Sequence, residues 1–168
     1  TRSDRDWSSD VCSSDLAEGI SGTEAAFAGR MTERAREIGL DNSIFRNATG
    51  WPDPDHVTTA QDLAKLASFL IREYTDFYGY YSEKEFTYGK SLGGKPITQG
   101  NRNPLLYKGV GADGLKTGHT EASGFGLTAS AIRNDRRLVM VINGLDSVRS
   151  RSSESERLIN WGFQVFDN

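Results

Sequence analysis

Asp113-Gly114-Leu115-Lys116-Thr117-Gly118-His119-Thr120 sets a lysine and a threonine hydroxyl between two glycines, just before a segment that reads as a β-hairpin. Taken alone, Lys116-Thr117-Gly118 describes an ordinary strand edge: a solvated lysine, a β-favouring threonine and a turn glycine. Whether it means more depends on its neighbours.

Downstream, Phe125, Leu127, Ala129 and Ala131 alternate with Gly124, Gly126, Thr128 and Ser130, the period of a strand with one small-residue face. Asn134-Asp135 predicts the hairpin turn, and the continuous apolar run Leu138–Ile142 predicts a central strand. Ser153 with Glu156 predicts the cap of a last helix, with Leu158, Trp161 and Val165 on one face. Just upstream, Asn101-Arg102-Asn103-Pro104 reads as a turn leading Leu105, Leu106 and Tyr107 into the octapeptide. Glu85–Tyr88 and Ile97–Gln99 read as two short strands joined around Gly93-Gly94. The aromatics Phe77, Tyr78, Tyr80, Tyr81, Phe86 and Tyr88 offer rings that could stack on sugars, but the expected role is packing under a long connection.

Further back, Thr59 and Asp62 form a capping box, and Leu63, Leu66, Ala67, Leu70, Ile71 and Tyr74 follow at amphipathic helical spacing. Leu40–Thr58 is punctuated by Asn42, Asn47, Gly50, Pro52 and Pro54 and reads as a loop, pinned by Ile44, Phe45 and Trp51. Ser21 with Glu24 predicts another cap, Phe27, Met31, Ala35 and Ile38 a helical stripe, and Gly39 its stop. Helices, then antiparallel strands, then a closing helix predict an α+β domain: an antiparallel sheet flanked by helices.

Residues 1–15, TRSDRDWSSDVCSSD, are polar, repeat Ser-Ser-Asp and show neither period. They resemble a translated sequencing adapter and are set aside as an artefactual or disordered tail, with no stable structure expected before Leu16. Residues 16–168 are read as one piece of a domain.

A formal charge of −3 gives no support for nucleic-acid binding, and no run approaches the roughly 18 apolar residues of a membrane helix. The single cysteine, Cys12, allows no internal disulfide, and His56 and His119 lack metal-ligand spacing. Neither metal nor cofactor is expected.

Several ordered stretches together resemble the D-alanyl-D-alanine carboxypeptidases, the low-molecular-mass penicillin-binding proteins. They are Leu16-Ala17-Glu18 with Ser21-Gly22-Thr23-Glu24, Phe45-Arg46-Asn47-Ala48-Thr49-Gly50, Thr59-Ala60-Gln61-Asp62-Leu63-Ala64, Asn101-Arg102-Asn103, the octapeptide, and Arg151 through Trp161-Gly162-Phe163. Lys-Thr-Gly is one of three motifs of penicillin-recognising serine enzymes, beside Ser-x-x-Lys and a Ser-x-Asn. The resemblance implies a β-lactamase-like α+β fold, incomplete at the N-terminus, and a serine nucleophile that opens the D-Ala-D-Ala bond of peptidoglycan stem peptides through an acyl-enzyme. It makes Lys116 the cation at the serine cluster and Thr117 a donor to the substrate carboxylate. Arg151 becomes the second carboxylate-binding cation, the His119 backbone N–H an oxyanion donor, and Gly118 the clearance for substrate backbone. It also implies β-lactam binding, a location outside the cytoplasmic membrane, and membrane attachment only through a C-terminal anchor that this sequence does not contain.

The departures are as informative. No Ser-x-x-Lys occurs, and Thr87–Lys90, the nearest threonine match, falls in a predicted strand. The family's Ser-Gly-Asn would align with Ser8-Ser9-Asp10, where aspartate replaces asparagine. The chain alone is therefore expected not to catalyse. Two rivals stay open: a catalytically dead stem-peptide-binding module, and a class A β-lactamase relative. The latter would need a Glu-x-x-Asn pattern, which Gly50–His56 lacks.

Overall fold

The computed structural model describes residues 9–91 and 93–166. The chain divides after Leu66 into two compact units.

The first unit opens with α1 (Ser9–Ser21) and α2 (Glu24–Glu37). The helical start at Ser9 overturns the expectation of no structure before Leu16. Ala17, fully buried, anchors α1, and once a helix is nucleated each added residue brings one more backbone hydrogen bond at little cost. The rest of the expected tail, residues 1–8, lies outside the described residues. Gly22, at φ +79°, separates the two helices, and the cap of α2 is Thr23, whose Oγ1 accepts from the Ala26 N–H at 3.1 Å. The expected Ser21–Glu24 box is not made. Ser21 ends α1, and Glu24 instead accepts from the Ala48 N–H at 3.0 Å.

Helix α2 buries Ala28, Thr32 and Ala35. Its larger residues Phe27, Met31 and Ile38, with Leu40, Phe45 and Leu66, line an open apolar recess of about 560 Å³. Gly39 (φ +83°) follows the helix end as expected. In the loop, Asn47 Oδ1 accepts from the N–H groups of Gly50 and Trp51 at 2.7 and 3.0 Å, and Ile44 bridges Val57. Trp51, expected to pin this loop, is 64% exposed. Helix α3 (Ala60–Glu73) is capped by Thr59, which accepts from the Asp62 N–H at 3.1 Å. The fully buried Asp62 carboxylate does not complete the box. Its Oδ2 takes the Asn42 N–H and the Ser43 hydroxyl at 2.9 and 2.8 Å, tying the loop to the helix.

In the second unit α4 (Thr75–Tyr78) and a 3-10 turn (Gly79–Ser82) lead to a hairpin of β1 (Glu85–Lys90) and β2 (Pro96–Gly100). Of the aromatic cluster Tyr78 is buried and Tyr81 half-buried, while Phe77, Tyr80 and Phe86 are well exposed, so the packing role belongs to two rings rather than to the group. A 3-10 turn (Pro104–Tyr107) precedes a three-stranded antiparallel sheet of β3 (Ala112–Thr120), β4 (Gly124–Arg133) and β5 (Arg136–Leu145). Asn134 and Asp135 turn the β4–β5 hairpin at φ +50° and +61°, the left-handed pair a tight hairpin requires.

The central strand is β4, not the apolar β5, whose outer edge pairs with no strand among the described residues. Sheet position is set by the chain order of the hairpins, and apolar content on both faces of β5 does not reveal it.

Helix α5 (Val148–Val165) closes the unit. It starts five residues before the expected cap, with Ser147 accepting from the Ser150 N–H at 3.0 Å. Its buried face is Arg151, Ser155, Ile159, Gly162 and Phe163, whereas Trp161 and Val165 are about half exposed. Ile159 and Phe163 pack on Leu127, Ala129, Ala131 and Met140, with Leu105 and Val110 closing the cluster. Helices and antiparallel strands segregate along the chain as an α+β fold.

Candidate active site

The octapeptide is strand β3, at the edge of its sheet among the described residues. Across the β3–β4 ladder Lys116 faces Thr128, Thr117 faces Leu127, Gly118 faces Gly126 and His119 faces Phe125. Successive residues of a strand point to opposite sides, so Lys116 and Thr117 stand on different faces.

Arg151 lies four and eight residues before Ser155 and Ile159, on the inward face of α5. It is only 6% exposed. Its Nη1 donates to the Gly118 carbonyl at 3.5 Å, and its guanidinium stands 5.6 Å from the centre of the Phe125 ring. The Nε hydrogen, buried, meets no acceptor among the described residues. Burial, and then the positive charge of nearby Arg102, lowers the Arg151 pKa from its ordinary value. This is a desolvated cation held at a strand edge with donor capacity to spare, an arrangement suited to an incoming carboxylate.

His119 stacks on Phe125 at 3.8 Å between ring centres. The ring is thereby occupied with packing, which leaves its backbone as the part available for chemistry. Lys116 is exposed, with Nζ 2.6 Å from the Thr117 carbonyl. A methyl group added at Gly118 would meet no protein atom within 4 Å, so the space over this residue is open. At Gly126, opposite, the same methyl would run into the Asn143 side chain.

The structure thus brings Lys116, Thr117, Gly118, His119 and Arg151 together at one strand edge. Of the motif positions implied upstream, Ser8 lies outside the described residues, and Ser9 and Asp10 stand in the first turn of α1, in the other unit. Sequence reasoning missed the residues that hold β3 at its start. Asp113 sits in a register break between Ala112 and Gly114, where it receives Arg137 and the Tyr78 hydroxyl. The buried Asn103 donates to the Gly114 carbonyl at 2.8 Å. An aspartate leading into the motif was the available signal, but nothing in the spacing names its partners. Among the described residues no cluster of His, Cys, Asp or Glu could hold a metal, and no helix is long and apolar enough to cross a membrane.

The chain also resembles known proteins in sequence and in structure. The chain is 39% identical over 153 residues to the D-alanyl-D-alanine carboxypeptidase DacC of Escherichia coli, covering 90% of this chain and 37% of that protein. Its structure resembles penicillin binding protein 5 of Haemophilus influenzae (TM-score 0.82, 38% identity, 90% of this chain and 43% of that one). It also resembles the D-alanyl-D-alanine carboxypeptidase DacD of Francisella tularensis (TM-score 0.83, 29% identity, 89% of this chain and 47% of that one). The chain spans less than half the length of these relatives. Residues 8–147 match the sequence pattern described as D-alanyl-D-alanine carboxypeptidase, and the chain belongs to that family.

Proposed function

We propose that this chain forms the Lys-Thr-Gly side of a serine-type D-Ala-D-Ala carboxypeptidase site that works on peptidoglycan stem peptides. The observation that carries the reading is the buried Arg151 at the open edge of β3, with a long bond to Gly118 and an Nε that meets no acceptor among the described residues. The end of the stem peptide adds to β3 as an extra strand, and the open space over Gly118 lets its backbone approach. Its terminal carboxylate is held between the Thr117 hydroxyl and the Arg151 guanidinium, whose planar fork suits a carboxylate. Lys116 contributes positive charge beside the nucleophile, and the His119 N–H stabilises the oxyanion of the acyl-transfer step. β-Lactams, which also carry a carboxylate beside a reactive carbonyl, use the same edge. A substrate of this kind locates the protein on the outer side of the cytoplasmic membrane.

The sequence contains neither Ser-x-x-Lys nor Ser-x-Asn. That favours a second reading for the chain in isolation, a module that binds stem peptides and does not cleave them. Titration of the ¹⁵N-labelled chain with N-acetyl-D-Ala-D-Ala tests both. Amide shifts at Lys116–Thr120 that the L-Ala-L-Ala isomer fails to produce, without release of D-alanine, are expected. No stereospecific shift would overturn the functional reading. Hydrolysis abolished by Lys116→Ala would overturn the claim that the chain alone does not catalyse.

A further inference from the structure

The ladder between β3 and β4 is interrupted just before the motif. Ala112 pairs with Ala131 and Gly114 with Ser130, so Asp113 is an extra residue, a bulge just upstream of Lys116. The outer edge of β3 has no partner strand among the described residues to hold it from the other side. A slip of one residue would exchange the faces of Lys116 and Thr117 and would disperse the site.

Four side chains meet at this bulge. Arg137 Nη1, from β5, lies 3.0 Å from Asp113 Oδ1 and 2.8 Å from Oδ2, and also donates to the buried hydroxyl of Ser130. The Tyr78 hydroxyl donates to Asp113 Oδ1 at 3.3 Å, and the Arg137 guanidinium lies 5.2 Å from the centre of the Tyr78 ring. Asn103, 1% exposed, donates through Nδ2 to the Gly114 carbonyl and accepts the Leu105 N–H. Gly114 has no room for a side chain, because a methyl group there would come within 2.6 Å of the Tyr78 oxygen. Leu115, next along, is buried with Tyr78 and Ala67.

We propose that Arg137, acting through the bulged Asp113, is a positioning residue that locks the register of β3 and so sets the faces on which Lys116 and Thr117 stand. The bulge leaves Asp113 without a ladder partner, and the two-oxygen ion pair to Arg137 replaces that pairing with one that is correct in a single register. Arg137 reaches across from β5, so the lock ties the edge strand to the far strand of the sheet.

Hydrogen exchange on the full chain tests the lock without any ligand. In Arg137→Met, exchange of the ladder-bonded amides within 112–120 is expected to rise at least roughly tenfold, while those of α5 and of the β4–β5 ladder stay within about twofold of wild type. Arg137→Lys, which keeps a charge on Asp113, should restore part of the protection. Asp113→Asn, nearly identical in shape, serves as the milder variant should the methionine change unfold the unit. Equal acceleration in every segment would mean that Arg137 merely stabilises the fold, and unchanged exchange in 112–120 would mean that it holds nothing. Either result overturns the proposal. The functional consequence rests on the carboxypeptidase reading and is measured separately, as at least roughly tenfold weaker binding of N-acetyl-D-Ala-D-Ala by Arg137→Met, with partial rescue by lysine. Wild-type chain that binds no peptide removes the functional reading alone, because the exchange experiment still decides the lock.

Discussion

Arg151→Met should make the chain more stable and less able to bind. The wild-type guanidinium is buried at 6% exposure, and among the described residues it makes a hydrogen bond at the long limit of 3.5 Å and leaves Nε without an acceptor. An unsatisfied buried donor costs about 1–3 kcal/mol, and desolvating the charge adds to that. Against this stand the weak bond to Gly118 and the contact with the Phe125 ring, together worth about 1–2 kcal/mol. Methionine, though shorter, keeps an unbranched apolar stem while removing the polar head. The net expectation is a gain of about 1 kcal/mol, within the range seen when buried ions give way to apolar residues of similar size. Urea unfolding at neutral pH measures it through the midpoint at constant slope. The same variant should lose at least roughly tenfold in affinity for N-acetyl-D-Ala-D-Ala. A variant less stable than wild type by about 1 kcal/mol or more would refute the reasoning, because Arg151 would then hold the fold together instead of waiting for an anion.

Three other outcomes follow from the same geometry. Burial, with a further contribution from the Asp113 charge, raises the Tyr78 pKa from 10.0 to about 12, although the Ser130 hydroxyl opposes the shift. The unfolded chain therefore ionises first, and stability present below pH 10 should fall by roughly 2–3 kcal/mol as pH rises towards 12, a loss that Tyr78→Phe abolishes in urea titrations. His56 accepts the Arg46 N–H through Nδ1 at 3.4 Å and packs edge-on against Phe45, and burial lowers its pKa although Asp53 opposes this. Its contribution is present above the ordinary value of 6.5 and lost as pH falls below that and through the lowered value of the folded state, so His56→Gln should flatten thermal stability between neutral and mildly acidic pH. Gly118→Ala should leave stability within about 0.5 kcal/mol of wild type, because its methyl meets no protein atom. It should nevertheless weaken peptide binding in the NMR titration, and unchanged affinity would show that the peptide does not lie over that residue.

The elements most legible in the sequence were those whose signal is local. The Thr59 cap of α3, the Gly39 stop of α2 and the Asn134-Asp135 turn each depend on a few adjacent residues, and all are present. The five candidate site residues converge because four share one strand and the fifth lies one helix further on. What the sequence concealed was set by competition or by distance. Ser21 and Ser153 were plausible caps, but Thr23 and Ser147 stand where the helices actually begin. The buried face of α5 follows Arg151 and Ser155, polar residues that a search for apolar stripes passes over. The grip of Arg137 and Tyr78 on Asp113 spans 24 and 35 residues of chain, and no local pattern encodes such a contact.

The open outer edge of β5 bears on how the chain behaves in concentrated solution. Leu138–Ile142 presents five apolar residues in a row on an edge that pairs with no strand among the described residues, and β-branched valines and isoleucine make up much of it. Such a strand recruits another extended segment, whatever its source, and only Arg136 and Arg137 at its start bring charge that discourages stacking. Both are already engaged, Arg137 with Asp113 and Arg136 with the carbonyls of Phe163 and Phe166, which weakens that guard. Concentrating the chain therefore favours strand-to-strand growth starting from the edge of the sheet farthest from Lys116 and Thr117.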